Sequence, residues 1–290
     1  NYSLTTPQPL QVLSDGYGGL YTNFQLNFTP IYQQLANGNV LVASPNWNNT
    51  GAVQSGAVTW INGSNGQLVG GAQGGALSSS NSLVGSHAGD YVGFRLPVDG
   101  VTELSNGNFV LSNPQWNSER GAVTWGSGTA GVAGTISSAN SLVGTTPSTS
   151  VSETTTYQKV LGLSDSSDSI YRYLDGKGFS SDWPDRVTTK DGDFVGYGGV
   201  KALSDGNAVV SSPFWASTAA WDQLSAPASK GAATWINGSN GQLRDSSSGA
   251  AVSAANSLVG AVTGDAVSYS AYIDPNSGSH YAYGGLTVLA

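Results

Sequence analysis

The sequence predicts an all-β protein made of four-stranded antiparallel repeats that fold as β-propeller-like blades. A three-sheet prism or a linear stack of β-repeats could be assembled from the same strands. Three observations lead there. First, GAVTWINGSNGQLV, which begins at Gly56, returns almost unchanged as GAATWINGSNGQLR at Gly231, with a shorter form, GAVTWGSGTAGVA, at Gly121. A stretch written more than once marks repeated architecture rather than a catalytic motif. Second, the 40 glycines and the abundant Ser, Thr and Asn rank low in helix propensity and suit turns and strands. Third, Asn-Gly or Asp-Gly pairs recur between short apolar runs, which is the pattern of a β-hairpin.

The elements follow in order along each unit. One piece reads LANGNVLVASPNW from Leu35, LSNGNFVLSNPQW from Leu104 and LSDGNAVVSSPFW from Leu203. Its Asn-Gly or Asp-Gly pair predicts a type I′ turn, in which two residues take positive φ. The apolar run after it predicts a strand. That strand stops at the proline of each Pro-x-Trp, because proline has no N–H to give the ladder. After a variable loop, Gly-Ala-Val/Ala-Thr-Trp predicts the next strand. Its small Gly and Ala admit the close approach of a neighbouring strand or blade, and its Val and Trp fill the space between sheets. The segment INGSNGQL then turns the chain back. A further strand is expected in SSSNSLVG from Ser78, SSANSLVG from Ser137 and SAANSLVG from Ser253. GDYVGF at Gly89 and GDFVGYGGV at Gly192 lead into the next unit, with a weaker counterpart, GSHYAYGGLTVL, at Gly278. The recurring tryptophans, Trp47, Trp116 and Trp215 and then Trp60, Trp125 and Trp235, are assigned to packing, since large aromatics dominate cores.

Aligning these pieces divides the chain into a partial leading unit (1–34), three repeats (35–103, 104–202 and 203–284) and the start of another unit (285–290). The second repeat carries an insertion of roughly 145–190. Terminal strands that lack partners expose backbone N–H and C=O groups and invite another strand.

Composition bounds the function. Of 290 residues, 39% are hydrophobic, enough for a substantial core, and only 10% are charged. Ten Lys plus Arg against eighteen Asp plus Glu give a net charge of −8. This argues against nucleic acid, whose binding needs clustered cations. No apolar run is long enough to predict membrane insertion. The absence of Cys excludes disulfides and thiolate metal sites, and two histidines leave little room for a histidine metal site. A chain with neither Cys nor Met fits an oxidising, extracellular setting.

Catalytic signatures are weak. Neither His87 nor His280 sits in a recognisable nucleophile context, and a Ser-His-Asp triad needs a placed histidine. A glycoside-acting enzyme needs two flanking carboxylates, and these gather only in the insertion. Two binding readings are better there. Asp165, Asp168, Asp191 and Asp193 are candidate Ca²⁺ ligands, because hard cations take several oxygen donors. They match no known calcium loop, and solvated surface carboxylates would look the same. Tyr171, Tyr173 and Trp183, beside Asp185 and Arg186, are candidate carbohydrate contacts, since an aromatic face with polar neighbours suits a sugar ring. A small satellite core would use the same aromatics.

The ordered set of SNGN-x-V, GAVTW, SANSLVG and D-x-VG resembles tandem repeats of large bacterial surface proteins of the filamentous-haemagglutinin-like or adhesin-like kind. The resemblance covers about 35–144 and 192–290. It implies secretion, a repetitive all-β fold and a surface role, and it implies no catalytic residue. The expected function is therefore an extracellular or cell-surface structural or adhesive protein that associates with like chains, in filaments through strand completion. A carbohydrate-binding module acting on surface glycans through the insertion is the alternative, and a glycoside-acting enzyme comes third. No cofactor is expected beyond Ca²⁺.

Overall fold

A computed structural model describes residues 12–14, 20–22, 32–94, 100–148, 152–157, 184–189, 192–218, 228–273 and 280–286. The chain divides into two units, Asn1–Ile31 and Tyr32–Ala290. In the first, β1 (Val12–Ser14) and β2 (Leu20–Thr22) form an antiparallel hairpin.

The second unit is all-β and contains three similar sheets. Repeat 1 supplies β3 (Tyr32–Gln34), β4 (Val40–Ala43), β5 (Ala57–Ile61) and β6 (Leu83–Val84). Repeat 2 supplies β7 (Val101–Glu103), β8 (Phe109–Asn113), β9 (Ala122–Gly126), β10 (Gly134–Thr135) and β11 (Leu142–Val143). Next come β12 (Ser152–Tyr157) and β13 (Pro184–Thr189), which pair with each other as an antiparallel ladder at the flanks of the insertion. Repeat 3 supplies β14 (Val200–Ala202), β15 (Ala208–Ser212), β16 (Ala232–Ile236), β17 (Ala250–Ala251) and β18 (Ser257–Val259). A last hairpin joins β19 (Tyr269–Ile273) to β20 (His280–Gly284).

Each repeat is the expected antiparallel meander, β3-β4-β5-β6, β7-β8-β9-β11 and β14-β15-β16-β18. The strands end at the predicted prolines, at Ala43, Asn113 and Ser212. The turn at Asn-Gly differs from type I′. Only the glycine takes positive φ, at Gly38, Gly107 and Gly206. The preceding Asn37, Asn106 or Asp205 instead accepts the N–H two residues on through its side chain, at 3.0–3.1 Å. Such an Asx turn places a longer loop between the strands. The expected fourth strand is shorter than its motif. Asn81, Asn140 and Asn256 fold the first half into a turn by accepting the N–H of Ser78, Ser137 or Ser253 at 3.0 Å.

The glycine of Gly-Ala-x-Thr-Trp is required twice over. Gly56, Gly121 and Gly231 have φ of 71°, 79° and 69°. A Cβ on any of them would collide with the main chain of Val92, Val195 or Val267. The close neighbour is the D-x-V segment of the same repeat. In repeat 3 that segment is Gly264–Ser268 (GDAVS), so the counterpart of GDYVG and GDFVG lies there and not at Gly278.

The cores lie between repeats. One cluster joins Leu41, Val58, Trp60 and Leu83 of repeat 1 to Phe109, Leu111, Ala122 and Ile136 of repeat 2. The other joins Val110, Val123 and Leu142 of repeat 2 to Ala208, Val210, Ile236 and Val252 of repeat 3. The alternation along β8 explains this, because neighbouring residues on a strand face opposite ways. Phe109 and Leu111 go back to repeat 1, Val110 goes forward to repeat 3, and β8 is buried along its whole length. Repeats therefore meet in succession. Among the described residues, no strand of repeat 1 pairs with repeat 3 to close a ring.

Candidate functional site

The most developed arrangement of polar and apolar groups is the joint between successive repeats, and it is built the same way twice. Its first component is a donated strand. β10 of repeat 2 leaves its own sheet and pairs in parallel with β6 of repeat 1 (Gly134 with Leu83, Thr135 with Val84). β17 of repeat 3 pairs in the same way with β11 of repeat 2 (Ala250 with Leu142, Ala251 with Val143). The donated segment gives N–H groups to the older edge: Gly134 to Ser82 O and Ile136 to Val84 O, then Ala250 to Ser141 O and Val252 to Val143 O, all at 3.0–3.1 Å. Two sheet edges are thereby covered, which removes exposed pairing groups.

The second component is a seat for tryptophan. The Trp60 ring lies on Gly131, and the Trp125 ring on Gly241, so closely that a Cβ on either glycine would sit 2.8 Å from the tryptophan Cβ. The indole N–H then reaches a main-chain carbonyl of the next repeat, Trp60 Nε1 to Gly128 O (3.3 Å) and Trp125 Nε1 to Gly238 O (2.9 Å). The tryptophans thus pack, as their repetition predicted, and their polar ends also fix register.

The third component is an asparagine rung. Asn39 Oδ1 accepts Gly63 N–H in its own repeat (2.9 Å) while its Nδ2 donates to Gly128 O in the next (2.7 Å). Asn108 repeats this with Gly128 N–H (3.0 Å) and Gly238 O (2.8 Å). Asn207 accepts Gly238 N–H (3.0 Å), but its Nδ2 turns to Asp205 Oδ2 (2.8 Å). The hydrogen bonds from Asn207, its backbone N–H first and then its side chain, hold the exposed Asp205 carboxyl below the usual carboxylate range.

The fourth component is an aspartate. Asp90 Oδ2 accepts the N–H groups of Ser86 and His87 (both 2.8 Å), and its Oδ1 reaches forward to Asn117 N–H (2.7 Å). Asp193 does the same with Thr145 (2.7 Å) and Thr146 (2.8 Å), then forward to Ala216 (3.0 Å). Both aspartates are buried. The receiving residues Asn117 and Ala216 both hold left-handed φ, 51° and 53°. That strain is costly for a residue with a Cβ and is located where the joint is made.

The forward side of repeat 3 carries the same groups without these contacts. Leu83 and Leu142 are 0% and 1% exposed, whereas Leu258, at their position, is 69% exposed. Asp265 Oδ2 accepts Ala261 and Val262 N–H at 2.7 and 2.9 Å, but the residue is exposed and Oδ1 meets no described donor. Trp235 Nε1 meets no acceptor among the described residues. Along β18 no donated strand is present among the described residues.

The site residues expected in the insertion are placed as follows. Asp165, Asp168, Tyr171, Tyr173, Trp183 and Asp191 lie outside the described residues. Asp185 and Arg186 lie on β13, opposite Thr156 and Thr155. Asp193 lies at the joint, where main-chain N–H groups occupy its carboxylate. Among the described residues, no cluster of three or more His, Cys, Asp or Glu could hold a metal ion, and no helix is long and apolar enough to cross a membrane. The joint residues Asn39, Asn108 and Asp90 are not among the candidates that the sequence singles out. Their signal was present as the fixed N-G-N and G-D-x-V spacings.

Comparison with known proteins agrees with the repeat. The family model for a repeat of unknown function, DUF5650, matches three times, over residues 34–94, 103–153 and 202–269. These matches span more than half of the chain, which therefore belongs to this repeat family. No curated protein and no solved structure matches it significantly.

Proposed function

We propose that this chain, as a member of that repeat family, is an extracellular structural or adhesive surface protein that works by associating with like chains. One observation carries the reading. Repeat 3 presents Val209, Ala233, Trp235 and Leu258 on one face of its sheet, with Leu258 exposed. The same face of repeats 1 and 2, Leu41, Val58, Trp60 and Leu83, then Val110, Val123, Trp125 and Leu142, forms the cores between repeats. Among the described residues no further strand covers this face, and it remains apolar. Low charge supports the same reading, because little Coulomb repulsion opposes close packing of like chains. The lack of Cys and Met supports the extracellular setting.

The test is the association state of the purified chain, by light scattering and negative-stain electron microscopy over a range of concentration, with and without Ca²⁺. Ordered multimers that grow with concentration are expected. A monomer at every concentration would overturn the proposal.

A further inference from the structure

We infer that the forward face of repeat 3 is a socket for repeat 1 of a second copy of this chain, so that copies join head to tail. The inference rests on the self-association reading and names its joint.

Repeat 1 offers the missing half of each contact on its backward side. Its segment Gly75–Ala76 stands where Gly134–Thr135 and Ala250–Ala251 stand in the other repeats, and it is exposed and outside any sheet. The following Leu77 is half-exposed, whereas its counterparts Ile136 and Val252 are buried. Gly66 is the counterpart of the tryptophan seats Gly131 and Gly241, and it has open space where they have a ring. Gly63, the counterpart of Gly128 and Gly238, whose carbonyls accept the tryptophan and asparagine N–H groups, is exposed while they are buried. Val40 and Val42 are half-exposed, whereas Phe109, Leu111, Ala208 and Val210 at those positions are buried.

The leftover groups of repeat 3 match these one for one. The β18 edge takes Gly75–Ala76, Trp235 takes Gly66, and Asp265 Oδ1 takes Asn48 N–H, since Asn48 follows Trp47 as Asn117 and Ala216 follow Trp116 and Trp215. Asn207 must exchange Asp205 for Gly63 O. Two such joints already exist in the chain, at β6/β10 and β11/β17, and they supply the pattern; beyond it, Asn207 changes partner and Asn48 adopts the left-handed φ of Asn117 and Ala216. The two surfaces differ, which makes the contact heterologous. A heterologous contact builds rings or open filaments and does not stop at a dimer.

The absence of cysteine makes the joint testable by cross-linking. In the internal joints, Thr135 faces Val84 and Ala251 faces Val143. Between copies the corresponding pair is Ala76 with Val259. An equimolar mixture of Ala76→Cys and Val259→Cys chains, oxidised mildly or treated with a short bis-thiol linker, is expected to give a linked dimer that neither variant gives alone. A chain with both Val84→Cys and Thr135→Cys is the internal control for reactivity. Multimers by light scattering, a reactive control and no mixed dimer would overturn this joint and leave self-association standing. No multimers at any concentration would remove both. Leu258→Arg provides a second readout: it should raise the concentration needed for assembly by about tenfold or more, with the thermal midpoint of the dilute monomer unchanged. Assembly unaffected by Leu258→Arg would also overturn the joint.

Discussion

Leucine to alanine at positions 83, 142 and 258 separates a core position from its exposed twin. All three residues occupy the same place in the Asn-Ser-Leu-Val strand of their repeats. Leu83 and Leu142 are fully enclosed by the joint cores and covered by β10 and β17. Truncation there loses the transfer term and leaves a cavity that close-packed neighbours cannot fill, so each should cost ~2–5 kcal/mol. Leu258 is 69% exposed. Less than a third of a full transfer term of ~1.5–3 kcal/mol applies, and no enclosed cavity forms, so the cost should stay below about 1 kcal/mol. The assay is urea unfolding of each variant at a concentration below assembly, with the m-value checked for constancy. Equal losses at 142 and 258 would refute the argument, because they would mean that Leu258 is enclosed in the isolated chain. A negligible loss at 83 would refute the assignment of the first core.

Three further outcomes are expected. Gly121→Ala combines φ of 79° with a collision against the Val195 main chain, whereas Gly107→Ala has φ of 81° and open space. Thermal melts should therefore show a loss of about 1 kcal/mol for Gly107 and clearly more for Gly121. Asp193→Asn removes a buried carboxylate from three main-chain N–H groups and should cost at least ~2 kcal/mol in urea unfolding. Asp265→Asn, whose residue is exposed and accepts two, should cost less. In a carboxyl NMR titration, Asp205 and Asp245 should titrate below the ordinary range. Asn207 holds Asp205 through its backbone N–H and then its side chain, and Ser247 holds Asp245 through its hydroxyl and then its backbone N–H. Because their folded values are lowered, their contribution to stability is complete above the unfolded carboxyl pKa of ~4 and is lost as pH falls through the lowered folded values.

The repeat unit was legible because its signals are local. Each proline of Pro-x-Trp ends a strand through its own missing N–H, and each Gly-Ala-x-Thr-Trp keeps the same strand and the same positive-φ glycine. The Asn-Gly turn was misread for an equally local reason. A type I′ turn and an Asx turn share the dipeptide, and the choice depends on whether the asparagine side chain caps the loop. The donated strands were not legible. Gly134, Ala250 and Ala251 have little strand propensity of their own, the two segments differ in sequence, and they are strands because an edge of the previous repeat is waiting for them. Asp193 shows the opposite failure. In sequence it lies within an acidic cluster and reads as a cation ligand, yet in space it is separated from solvent and satisfied by backbone.

The direction of the joint follows from which partner supplies which group. At both joints the earlier repeat gives tryptophan, the asparagine amide and the aspartate oxygen, and the later repeat gives strand N–H groups, a glycine seat and a glycine carbonyl. Packing of apolar faces alone would tolerate sliding or reversal, because hydrophobic burial is non-directional. The polar contacts do not tolerate it: a reversed repeat would set tryptophan against tryptophan and leave Asp90 or Asp193 without its forward donor. A buried carboxylate stripped of a donor costs more than a typical hydrogen bond is worth, so the aspartates penalise wrong register more than they reward the right one. This explains why the chain places a charged residue in each joint of a protein that is otherwise only 10% charged. It also predicts the behaviour of a chain with Asp90→Ala and Asp193→Ala together. The joints should keep their apolar contacts but lose register, and hydrogen exchange should rise first at the β10 and β17 amides while the inner strands β8 and β15 stay protected. Uniform loss of protection across β8, β10, β15 and β17 would show that the aspartates hold the sheets themselves and not the order in which they are joined.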